Sequence, residues 1–241
     1  PWLTHKDAEI GAGALGATLL LAPFDHSVED EVAEPRWKDS RPIQRDARTI
    51  AYLGGDGPVL ISGALFAAGS AAHLDGITRA ALHNTEAIVL AAGVAGFAKG
   101  VFGRALPGVP VKHEFSFGRG FHDGNGPFVS FPSGHTAAAF AMAAALSGEV
   151  QQSAPGVAPY FTPFVYTSAT LVGLARVFQR VHWPSDLPIA AAIGVWSGSS
   201  IESHTHRSRA TNAVVSGLTI APGADGRLMI GWSSRAASNA N

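Results

Sequence analysis

The stretch "FPSGHTAAAF", Phe131 to Phe140, sets a proline, two small residues and a histidine directly ahead of an alanine run. Proline fixes the entry of the chain, Ser133 is a natural N-cap, and Gly134 lets a ligand approach the backbone closely. The first amides of a helix have no internal partners and lie at its positive end, so they form an anion site. His135, placed there, can exchange a proton with whatever anion binds. The plainer alternative is an ordinary helix start with an exposed histidine.

A second cluster lies downstream, in "ARVFQRVHWPSD", Ala175 to Asp186. Arg176 and Arg180 are four apart on one helix face, His182 follows Arg176 by six residues, and Asp186 follows His182 by four. Pro184 suits the first turn of a new helix, which puts His182 just before it. Asp186 is then near enough to accept a hydrogen bond from one imidazole nitrogen, fixing the tautomer and leaving the other nitrogen nucleophilic. The plainer alternative is a surface His–Asp pair beside a loop.

These stretches resemble the type 2 phosphatidic acid phosphatase (PAP2) superfamily, which includes bacterial acid phosphatases and vanadium haloperoxidases. Its signature runs Lys-x6-Arg-Pro, then Pro-Ser-Gly-His, then Ser-Arg-x5-His-x3-Asp. The second part stands unchanged at Pro132 to His135, and the third is Arg176-x5-His182-x3-Asp186 with Ala175 in the serine position. The first part departs from the pattern: "KGVFGRALP" has Lys99 and Pro107 in place, but Leu106 stands where the arginine belongs. Seven residues of helix turn through about 700°, so positions 99 and 106 share a face, whereas Arg104 points roughly 140° away unless the helix has already unwound. Arg119, between two glycines in "FGRGF", is the other candidate replacement. That glycine-rich segment is similar to secreted bacterial members.

The resemblance implies an all-α helical bundle of the PAP2/haloperoxidase type. It implies that His182 attacks phosphorus, that Asp186 orients it, and that His135 protonates the leaving oxygen and later activates water. Lys99, Ser133, Gly134 and Arg176 would hold the phosphate oxygens, with no metal or other cofactor. Three alternatives to a fully active phosphatase carry over. One is a haloperoxidase holding vanadate on His182; the others are an enzyme impaired by Leu106 and a degenerate structural or assembly subunit.

Composition narrows the rest. The chain has 241 residues, a formal net charge of −1 and no cysteine, which removes disulfides, thiolate metal sites and a cysteine nucleophile and gives no basic field for nucleic acid. A hydrophobic fraction of 46% against 15% charged residues is greasy for a soluble protein. Ile10–Phe24 and Ala87–Ala98 are apolar for 15 and 12 residues, both short of a continuous span of about 18. Their alanines and glycines suit a packed core. The expectation is therefore a periplasmic or secreted protein, its signal peptide removed ahead of Pro1, with membrane attachment as the alternative. The expected partner is a phosphorylated small molecule or lipid head group, and a homo-oligomer is left open.

Helices are expected over 7–22, 59–72, 77–106, 133–148, 162–180 and 184–201, with short amphipathic pieces between the first two. Residues 107–132 form a long loop, which within a compact domain points to function or disorder. Its His113, Glu114, His122 and Asp123 read as a polar loop over the site, and "RWKDSRPIQRDAR", with Asp39 and Asp46 among its basic residues, as a solvated face. His204 and His206 read as a polar linker rather than metal ligands. Apolar alternation around "PGADG" predicts a small C-terminal β-hairpin. The organisation expected is one helical phosphatase domain, 1–210, with the hairpin and tail, 211–241, packed on it.

Overall fold

In the computed structural model of the chain, the described residues are 4–123, 126–214, 218–222 and 228–232, with side chains, that of Asp123 apart, described as far as His204. The chain divides into two compact units, Pro1–Ile201 and Glu202–Asn241. Helices dominate the first. They are α1 (His5–Leu21), α2 (Asp25–Ala33), α3 (Pro35–Lys38), α4 (Arg41–Tyr52), α5 (Asp56–Ala71), α6 (Asp75–Phe102), α7 (Gly120–Asp123), α8 (Gly134–Ser153), α9 (Ala158–Phe178) and α10 (Asp186–Val214), which runs on into the second unit.

Local chemistry explains several boundaries. Thr4, not Asp7, caps α1: the Thr4 side chain accepts from the Asp7 amide, and Asp7 reaches back to the Thr4 amide at 2.8 Å, closing a capping box. Ser133 caps α8 by accepting from the Thr136 amide. Helix α6 stops at Gly103, whose φ of 53° lies in the left-handed region that favours glycine. The expected continuation to 106 therefore fails, and the helix ends four residues early.

The core is built from small side chains. Ala87, Ala91 and Ala95 of α6 interlock with Ala137, Ala141 and Ala145 of α8 and Ala190 of α10. Four-residue spacing keeps each set on one helix face. Gly194 and Gly198 bring α10 still closer: a methyl added at either would lie within 2.6 Å of the Ala137 or Ala141 carbonyl oxygen. Such close approach recovers through dispersion contacts what alanine lacks in apolar area. On the other flank, Ala47 and Ala51 of α4 pack on Ala175 of α9, so the residue in the family's serine position serves as a helix contact.

The outer surface departs from the expectation of a purely core-forming set of helices. Leu20 of α1, Val89 and Phe97 of α6 and Phe164 of α9 are each 64–74% exposed. Helix α6 is long and apolar enough to cross a membrane, and α4 with α5, bent by 48°, qualifies as a pair. The second unit carries strands β1 (Leu218–Pro222) and β2 (Leu228–Trp232), paired antiparallel with Ile220 opposite Ile230, while 215–217, 223–227 and 233–241 lie outside the described residues. His204 and His206 fall within α10, so their segment is helical rather than a linker.

Candidate active site

Early termination of α6 sets up the site. From Gly103 the chain runs as a pinned loop: Ala105 N–H donates to Glu114 O at 2.7 Å, Leu106 N–H to Pro127 O at 2.7 Å, and Ser130 N–H to Arg104 O at 2.9 Å. Arg104 thus leaves the helical register and turns inward, with 4% of its surface exposed. Its guanidinium donates to Asp186 Oδ1 and Ser185 Oγ at 2.7 Å, to Asp25 Oδ2 at 2.8 Å and to Glu114 Oε2 at 3.1 Å. Faced by three carboxylates, Arg104 supports Asp186, so this candidate replacement for the missing motif arginine is engaged away from a phosphate.

Asp186, at the start of α10, is fully buried and saturated. Oδ2 accepts from Ser130 Oγ at 2.5 Å and from the Trp183 amide at 2.9 Å. Burial works against its charge, but His182, Arg104 and Ser130 outweigh that and hold its carboxyl below the usual range. Asp25, from α2, accepts from the Ser185 amide at 3.0 Å and from the Ser185 hydroxyl, tying the N-terminal helices to the same knot. Nothing in the local sequence marks Asp25 for this role, since it lies 160 residues from Ser185.

His182 sits in the turn between α9 and α10 and is buried. Its Nδ1 lies 3.5 Å from Asp186 Oδ2, an ion-pair distance short of a formed hydrogen bond, and has no other partner. A small ring rotation would complete the bond. Burial pushes the imidazole pKa down, Asp186 opposes this, and Lys99 and Arg176 add to the fall. The ring is therefore neutral near pH 7, the state a nucleophile needs.

His135 lies in the first turn of α8. Burial lowers its pKa to about 4, and Arg176, His182 and Lys99, in that order, push the same way. These four groups thus share one electrostatic site. A second link is covalently remote but direct: the Ser133 amide reaches the Asp186 carbonyl at 3.5 Å, joining the start of α8 to the start of α10. Lys99 Nζ donates to the Val129 and Ser130 carbonyls, and its Cε comes within 3.7 Å of where a Gly134 side chain would begin. Arg176 donates to Gln179 Oε1 at 2.6 Å and keeps a buried Nε with no partner, the mark of a missing acceptor. Ser133 Oγ is wholly buried and committed to Thr136 as a cap.

Other residues fall elsewhere. Arg119 lies over the Phe128 ring at 4.1 Å, beside a cavity of about 420 Å³ walled by residues from 109–119 and by Pro127 and Phe128, and distinct from the one at His135. Glu114 bridges Arg104 to His26, so it is a strut rather than a substrate-facing loop residue. The segment expected to be a plain solvated face contributes one exception. Arg48 of α4 lines a cavity of about 470 Å³ together with His135 and Arg176. Among the described residues no group of three or more His, Cys, Asp or Glu side chains could hold a metal ion.

Comparison with known proteins bears on this arrangement. The chain matches the family model "PAP2 superfamily" over residues 80–203. It is 38% identical over 97 residues to the lipid A 1-phosphatase of Porphyromonas gingivalis, a match covering 40% of this chain and only 21% of that protein. Two solved structures share its fold. The transmembrane PAP2-type phosphatidylglycerolphosphate phosphatase of Bacillus subtilis aligns with TM-score 0.57 and 16% identity, over 85% of this chain and 98% of that one. Aquifex aeolicus LpxE aligns with TM-score 0.53 and 21% identity, over 76% and 95%.

Proposed function

Since the chain belongs to the PAP2 superfamily, we propose that it is a metal-independent phosphatase acting through a phosphohistidine on a phosphate carried by a lipid. The observations that support this most are the His182–Asp186 pair at 3.5 Å, the cavity that His135 and Arg176 line together, and Lys99 set beside Gly134 at the start of α8.

Little covalent work is required in phosphoryl transfer, so positioning and charge dominate. The α8 amides, Lys99 and the unpartnered Nε of Arg176 bind the phosphate oxygens. With Nδ1–H directed at Asp186, the Nε2 lone pair of His182 attacks phosphorus as the bond to the leaving oxygen breaks. His135 gives that oxygen a proton, then takes one from water, whose oxygen attacks the phosphohistidine and restores His182. The low pKa of His135 belongs to the site without an anion. A phosphate dianion offsets the Arg176 and Lys99 charges and favours the protonated ring.

A lipid substrate and a membrane setting draw support from the named relatives and from the exposed apolar residues of α6. A phosphate-release screen over lipid and soluble esters, with His182→Ala beside the parent chain, tests the reading. The expected result is release by the parent and a loss of several orders of magnitude in the variant; equal rates reject His182 as nucleophile.

A further inference from the structure

The cavity beside His135 is larger than one phosphate needs, and its far wall belongs to an element outside all three motifs. It measures about 470 Å³. Its polar lining comprises His135 and Arg176 from the site, Gln179 at the end of α9, and Gln44, Arg48 and Tyr52 from α4. The last three are spaced by four, so they form one stripe on one helix face. Helix α4 is clamped in that orientation, with Ala47 and Ala51 buried against Ala175 and the Gln44 amide donating to the Phe178 carbonyl at 3.4 Å.

Arg48 differs in pairing from Arg36 and Arg45. Arg36 pairs with Glu31 and Glu34, and Arg45 with Asp46, whereas Arg48 has no ion pair or hydrogen bond among the described residues. The cavity lining contains no carboxylate to neutralise it. At the inner end Arg176 Nε is buried without an acceptor, so that end awaits one oxyanion, and Arg48 holds an uncompensated charge further out.

We propose that the Arg48 face of α4 is a second anion subsite, binding a phosphate or carboxylate on the leaving portion of the substrate. It rests on the phosphatase reading and narrows it: the chain acts on phosphates whose leaving group carries another anionic centre, as in a diphosphate. Arg48 forms the charge-assisted bonds, Tyr52 offers its hydroxyl, and Gln179 holds Arg176 between the two anions.

The test compares inorganic phosphate with pyrophosphate as ligands of the full chain, by titration calorimetry, in the parent, Arg48→Gln and Arg48→Lys, each carrying His182→Ala so that pyrophosphate is not hydrolysed. The parent should prefer pyrophosphate. Arg48→Gln should lower that preference about tenfold or more, the size of a lost hydrogen bond to a charged group, and Arg48→Lys should retain part of it. Equal weakening of both ligands would put Arg48 on the scissile phosphate and overturn the proposal, as would an unchanged preference. Because Arg48 is exposed and unpaired, its removal does not threaten folding. Binding is read without turnover, so if the chain with His182 intact released no phosphate while the pyrophosphate preference persisted, the phosphatase reading would sink and the subsite would be left standing.

Discussion

Arg104 and Asp186 meet at 2.7 Å in a site where both are buried, although they lie 82 residues apart. The arginine that could have replaced the one missing at position 106 is instead the counter-charge of the carboxylate behind His182. Removing it leaves Asp25 and Asp186 buried without their cation. Arg104→Met should cost about 3–5 kcal/mol of stability, the usual penalty for breaking a buried pair from one side. Equilibrium unfolding measures this, and a loss below about 1 kcal/mol, typical of exposed pairs, would contradict the buried geometry.

Restoring the family pattern should not help. With α6 ended at Gly103 and Leu106 N–H bound to the Pro127 carbonyl, position 106 no longer shares a helical face with Lys99. Leu106→Arg is therefore expected to give no gain in kcat/KM on any phosphate ester. A clear rise would show that the new guanidinium reaches the phosphate after all.

The pH profile follows from His135. Its folded pKa is lowered to about 4, so the protonated form that can donate to a leaving group becomes scarcer as pH rises above that value. His182 is shifted downward by burial, so it too gains no proton as pH rises through neutrality. Hence kcat/KM should fall with rising pH through neutrality, and His135→Gln should remove that alkaline limb along with most of the rate. A profile rising toward alkaline pH would require a different acid.

Two adjacent glycines should respond differently. A side chain at Gly54 would lie 2.6 Å from the His135 carbonyl oxygen and 2.4 Å from Val172 Cγ1, contacts the backbone cannot relieve. Gly54→Ala should lose about 1–3 kcal/mol by overpacking. At Gly55 the obstacle is His135 Nε2, at 2.9 Å, the movable tip of a ring. Gly55→Ala should fold normally and lose kcat as the imidazole is displaced. Comparing melting temperature with kcat in the two variants separates the effects.

The start of α8 was legible because capping chemistry is local: Pro132, Ser133 and Gly134 specify it within four residues of His135. The end of α6 was not, since a glycine within an apolar run signals a stop only when the backbone adopts positive φ, as Gly103 does beneath the loop at Ser116. Asp25 and Arg48 were invisible for another reason. Each looks like an ordinary charge on a polar helix, and only tertiary packing turns one toward Ser185 and the other toward His135. The alanine-rich helices concealed their outward faces too, because alanine is compatible with core and surface alike.

At Gly194 and Gly198 helix α10 lies directly against the Ala137 and Ala141 carbonyls of α8, with Cβ atoms and small alanine side chains filling the rest of the seam. His135 is carried in the first turn of α8 and His182 in the turn that leads into α10, so the closeness of these two helices bears on the spacing of the imidazoles. Widening that seam from afar, for instance with Gly198→Val some three turns along α10, should slow turnover without altering any group that meets the substrate. The rate then becomes a gauge of interhelical spacing.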